Sequence, residues 1–303
     1  MSTPSNAAPE SPVGPREIAP AAMSETRPMY WSIRRELWEN RSIYIAPLVV
    51  AGLALFGFLI ATIGRAVATV DPVQKAAVLA EHNSFAAGVI IATAFIVGVF
   101  YCLDALHGER RDRSILFWKS LPVSDLTTVL SKTSIPLVVL PLITFAIVVP
   151  MQLIMRLLST ATLMANGLTP ATGTQLPLLQ SWLVLVYGLI AFVLWHAPLY
   201  GWLLLVSGWA RRVVFLWAVL PLVAIQVVEK IAFNTSYFAS MLKYRLMGFA
   251  VEAFALNTHH SIDSLTQLTP GKFLSTPGLW IGLAFAAAFL AAAVRLRRYR
   301  EPI

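Results

Sequence analysis

Residues 181–207 read SWLVLVYGLIAFVLWHAPLYGWLLLVS, twenty-seven positions without Asp, Glu, Lys or Arg. A hydrocarbon layer about 30 Å thick takes about 20 apolar residues of helix per crossing, so this stretch spans a membrane on its own. It is continuously apolar and does not alternate, which favours a helix over a barrel strand. Five more such runs lie at Ile43–Ile63, Ser84–Leu106, Ile135–Met155, Val213–Val228 and Leu279–Val294. Across all 303 residues the composition is 57% hydrophobic and 13% charged, too little polar surface to clothe a soluble domain of ordinary proportions. The expected fold is an all-α membrane protein with six transmembrane helices.

The net charge of +8 invites a nucleic-acid reading, but in a membrane protein the placement of cations across alternate loops is more informative. Sixteen of the 23 Lys and Arg residues fall before the first run, in the second-to-third and fourth-to-fifth loops, and after the last run; seven fall opposite them. The positive-inside rule therefore puts both termini and loop 107–134 in the cytoplasm, and topology accounts for the charge with no nucleic acid involved. The expected location is a cell inner membrane, in a multi-pass and bacterial setting.

Residues 1–27 are rich in Pro, Ala, Ser and Glu, contain no continuous apolar segment, and are expected to form a disordered cytoplasmic tail. Residues 28–42 follow as an interfacial helix, with Tyr30, Ile33 and Leu37 on its apolar face, Arg34, Arg35, Glu36 and Glu39 elsewhere, and Trp31 and Trp38 at headgroup level against membrane lipid. The transmembrane domain is 43–303, with an outer segment at 229–277 in which Ser236–Leu256 is expected to be helical.

Loop 107–134 reads HGERRDRSILFWKSLPVSDLTTVLSKTS. It turns abruptly from charged to apolar at Ile115-Leu116-Phe117-Trp118, a patch whose exposure calls for burial against a partner or the membrane surface. Pro122 then stops one helix and Ser124 caps the next. Glu109-Arg110-Arg111, Ile115-Leu116, Ser120-Leu121-Pro122-Val123-Ser124 and Lys132 together resemble the cytoplasmic loop of ABC-2 type permeases, the membrane subunits of type V ABC transporters.

The resemblance implies an interfacial helix before the first span, a cytoplasmic coupling helix, short outer helices before the last span, and docking on an ABC ATP-binding subunit present in two copies. It assigns Glu109 and Arg110 to the end of the second span, Arg113 and Ile115, Leu116, Phe117, Trp118 and Lys119 to the coupling element, and Leu121 and Pro122 to the turn. The sequence contains no G-x-x-x-x-G-K-[ST] phosphate loop, so ATP and Mg are expected on the separate ATPase chain, with no cofactor on this one. Six spans supply half of such a permease, and a homodimer completes it most simply. The implied function is export of a hydrophobic or amphipathic substrate such as a lipid, peptide or antibiotic. The alternative is a membrane anchor or sensor that recruits an ATPase without transporting.

Within the spans the candidate for a pathway contact is His196, two residues before Pro198; a histidine satisfied inside the bundle is the bland alternative. Asp104 and Glu229 lie near interfaces, where solvation or pairing suits them. The prolines of the third run, Pro136, Pro141 and Pro150, mark kinks or bending points. The pair His259-His260 with Asp263 is a weak metal candidate, and no catalytic motif is present, so this chain is not expected to be an enzyme.

Overall fold

The computed structural model describes residues 26–67, 72–112, 123–165, 178–255 and 265–299; they are helical, with no strand beyond one isolated bridge between Phe254 and Leu268. The tail 1–25, the segment 113–122 and the pair His259-His260 lie outside the described residues.

Six helical segments are long and apolar enough to cross a membrane: 42–62, 84–111, 125–162, 178–209, 214–233 and 277–299. Each coincides with one of the runs read from the sequence. Helix α1 (Thr26–Glu39) precedes them and breaks at Asn40, whose side chain donates to the carbonyl of Glu36 at 3.2 Å, before α2 (Ser42–Val67) begins. The helix expected over 28–42 thus ends short of residue 42. Its buried side also differs from expectation: Ile33 and Leu37 pack inward, Tyr30 is exposed, and Glu36 is buried beside them.

The second span is α3 (Pro72–Ala105) followed by the short α4 (His107–Arg111). At the joint, the Leu106 and His107 amides donate to the Ser207 hydroxyl at 3.0 and 2.9 Å, so a side chain of the fourth span supplies acceptors the local backbone lacks. After the segment 113–122, α5 (Asp125–Ser134) starts on the expected cap, with Ser124 Oγ accepting the Thr127 amide at 3.0 Å. A π-helical turn (Ile135–Val139) joins it to α6 (Leu140–Ala165). Pro136 within that turn has no N–H to donate and its ring crowds the preceding turn, which a wider helix relieves.

Helix α7 (Leu178–Trp209) is the hub of the bundle, in contact with α3, α6, α8 (Val214–Phe233) and α12 (Pro277–Tyr299). Small residues set its distance to its neighbours. A Cβ on Gly201 would sit 3.3 Å from the Ala286 carbonyl of α12, and one on Gly98 of α3 would sit 3.1 Å from the Tyr200 ring.

At the far end from loop 107–134, α9 (Tyr237–Met247), α10 (Phe249–Ala253) and α11 (Pro270–Ser275) cover α7 and the start of α12. The expected single helix over 236–256 is split at Gly248, where a Cβ would fall 2.5 Å from the Tyr244 carbonyl. Glu229 closes the start of α9, accepting the Tyr237 and Phe238 amides at 2.6 and 2.9 Å and the Thr235 hydroxyl at 2.8 Å. Asp104 is exposed.

Candidate functional site

The loop end of the bundle contains a cluster of buried charges drawn from four separate segments. Glu109 of α4 faces the Lys132 ammonium of α5 at 3.2 Å, pairs with the Arg297 guanidinium of α12, and lies 3.6 Å from Arg35 of α1. Lys132 also reaches Glu36 of α1 at 2.7 Å, and the second oxygen of Glu36 accepts the Tyr101 hydroxyl of α3 at 2.8 Å. Arg297 turns its Nε toward Asp125, 3.1 Å away at the start of α5. Glu36, Glu109, Lys132 and Arg297 are all less than a tenth exposed.

Buried ions persist only when paired and hydrogen-bonded, and here each carboxylate meets at least one cation. Arg35 shows the balance of terms at the rim. Burial draws its pKa down, but the hydrogen bond and charge of Glu39, with Glu36 and Glu109 behind it, leave it raised.

Arg297 occupies the pivotal place. It touches Glu109, in the last turn before segment 113–122, and Asp125, in the first turn after it. One guanidinium therefore holds both stems of that segment. Arg110 secures the first stem from another side, donating to the carbonyls of Gly208 and Ala210 at 2.8 and 3.3 Å at the end of the fourth span. The attachments of the two stems reach α1, α3, α7 and α12.

Of the sequence-derived site residues, Glu109 and Arg110 lie in this cluster. Arg113, Ile115, Leu116, Phe117, Trp118, Lys119, Leu121 and Pro122 lie outside the described residues. Glu36, Tyr101, Asp125 and Arg297 were missed as site residues. Glu36 read as one of four charges off the apolar face of α1, with Arg34, Arg35 and Glu39, and nothing in the sequence set it apart. Arg297 read only as one more cytoplasmic cation.

His196 lies elsewhere, buried between α7 and the far-end helices, its ring nitrogens 2.8 Å from the Phe192 carbonyl and 3.2 Å from that of Leu246, with Phe95, Phe192 and Phe249 around it. Next to it, Trp195 donates to the Arg245 carbonyl at 2.8 Å while the Arg245 guanidinium stacks over the indole at 4.8 Å. Burial lowers the pKa of Arg245, and its Nη1 donates to Gly278 at 3.1 Å. In this region the histidine ties a span to its cover.

No protein-family model, curated protein or solved structure matches this chain. The functional reading therefore rests on the residues themselves. Among the described residues, no group of three or more His, Cys, Asp or Glu side chains is placed to hold a metal ion.

Proposed function

We propose that this chain is the membrane-spanning permease subunit of an ATP-driven exporter of the ABC-2 type, drawing on ATP and Mg held by a separate ATP-binding subunit and moving a hydrophobic or amphipathic substrate outward. Both termini and loop 107–134 lie in the cytoplasm in this reading. The observation that carries it is the attachment of both stems of segment 113–122 to Arg297 within a buried ionic cluster. A loop that must pass a partner's stroke to a helix bundle needs a stiff root, and buried ion pairs between four segments provide one. The π-helical turn immediately after α5 is a natural place for the stroke to become a change in the third span, because such turns recur at functional sites within longer helices.

The test is co-purification of the tagged full chain from its own host's membranes, with the captured proteins identified by mass spectrometry and ATPase activity measured. An ATP-binding chain is expected with the wild type and is expected to be lost in Phe117→Asp and Leu121→Asp. A wild-type chain that brings down no ATPase sinks the transporter reading.

A further inference from the structure

The far half of α6 and the start of α7 share a group of polar side chains. Arg156 of α6 donates through Nη2 to the Ser181 hydroxyl of α7 at 2.8 Å, which sets the level at which these two successive, antiparallel spans face each other. One turn deeper on α6 is Gln152, less than a tenth exposed, and one residue further on α7 is Trp182. Both lead into the same apolar cluster: Gln152 is flanked by Val148, Met151 and Met155, and Trp182 is followed by Leu185 and Leu189. Gln152 Oε1 and Trp182 Nε1 are buried, and neither has a hydrogen-bond partner among the described residues.

An acceptor and a donor left bare at membrane depth each cost free energy that lipid tails cannot return, and a guest that bonds both would recover it. Their order along the helices describes that guest. Arg156 lies about 9 Å inside Thr162, the end of the span. It brings a positive charge and a planar fork of donors that matches a carboxylate or phosphate, and Trp182 Nε1 adds a donor near the same level. Gln152 stands about 6 Å deeper along α6, where its oxygen accepts from an N–H or O–H. A molecule that fits carries its anion outermost, a hydrogen-bond donor beneath it, and an apolar tail below. The way in is from the side, because Leu157, Leu179 and Leu183, which lie next to this group on the two helices, are exposed.

We propose that Arg156, Trp182 and Gln152 form a binding site for an acylated anion. Its carboxylate or phosphate meets the Arg156 guanidinium and the Trp182 indole N–H, and an amide or hydroxyl at its head–tail junction donates to Gln152 Oε1. The site rests on these side chains and stands apart from the transporter reading, since an anchor or sensor would hold such a ligand equally well.

The test is equilibrium binding to the full-length protein in phosphatidylcholine nanodiscs without any ATPase, with N-palmitoylglycine as the probe and empty nanodiscs as the background. Two analogues each remove one feature: the methyl ester of the probe lacks the charge, and O-palmitoylglycolate has an ester oxygen in place of the amide N–H. N-palmitoylglycine is expected to bind saturably and each analogue about tenfold more weakly. N-acetylglycine, which keeps the head and lacks the tail, is expected not to compete. Gln152→Leu should abolish the preference for amide over ester and keep that for acid over methyl ester, and Arg156→Gln should do the reverse. Each variant is read as a ratio between probes, so partial loss of folded protein does not mimic the result. Equal affinity for the three acyl probes, competition by N-acetylglycine at the same concentrations, or probe preferences that both variants leave unchanged would each overturn the site. ATPase co-purification bears on the transporter reading alone, so the two fail separately.

Discussion

Lys132 stands between two buried carboxylates, and its removal would strand Glu36, while Glu109 keeps Arg297. Lys132→Met should therefore destabilise the protein by about 3–5 kcal/mol, whereas Arg35→Ala or Glu39→Ala, which break the more exposed pair, should cost about 0–1 kcal/mol. Thermal unfolding in detergent measures both, and the double variant Glu36→Gln with Lys132→Met should recover part of the loss. A second residue-scale prediction concerns Val213, which sits at φ 47° between the fourth and fifth spans with its side chain exposed. A β-branched residue there is strained, so Val213→Gly should raise stability by about 1 kcal/mol in the same assay. The partners in the ionic cluster explain why the site was only half legible. Glu36 is 65 residues from Tyr101 and 96 from Lys132, and Arg297 is 188 from Glu109. Hydropathy patterns report neighbours one or two turns away and carry no information at such separations, whereas Glu109 and Arg110 could be named because they belong to a local motif.

At the scale of elements, the far-end cover depends on a few polar contacts around Glu252. Tyr244 donates to it at 2.8 Å and Lys272 lies 3.3 Å away, and these hold its pKa below the ordinary carboxylate value, the tyrosine contact foremost. Burial, with Glu252 beside it, pushes Tyr244 up to about 12. A depressed carboxylate stabilises the fold above its unfolded-state pKa and loses that contribution as pH falls through its folded value. Hydrogen exchange in α9 and α10, corrected for intrinsic rates, should thus quicken as pH drops from neutral to below about 4. In Glu252→Gln exchange should be faster from the outset and nearly flat over the same range; an unchanged pH response in that variant would discount the contact. The six spans were readable in number and place, because long uncharged runs have few alternatives, although the third helical segment starts ten residues before the run read for it. The split of the expected 236–256 helix at Gly248 was not, because the close approach of Tyr244 to that position is a feature of the folded chain.

For the whole molecule, the bundle divides into a loop end fixed by charge and a far end fixed by aromatic packing and carbonyl contacts, joined through α7. The root of the loop end is Arg297, and releasing it should free the stems of segment 113–122 without unfolding the spans. The most direct measurement is the distance between spin labels at Asp112→Cys and Leu126→Cys, both exposed, in a Cys102→Ala background. In the otherwise native chain the distance distribution should be a single narrow peak, and Arg297→Gln should broaden it severalfold. A distribution that is equally narrow with and without the Arg297 guanidinium would contradict the clamp, and with it the case for a stiff lever at this end of the protein.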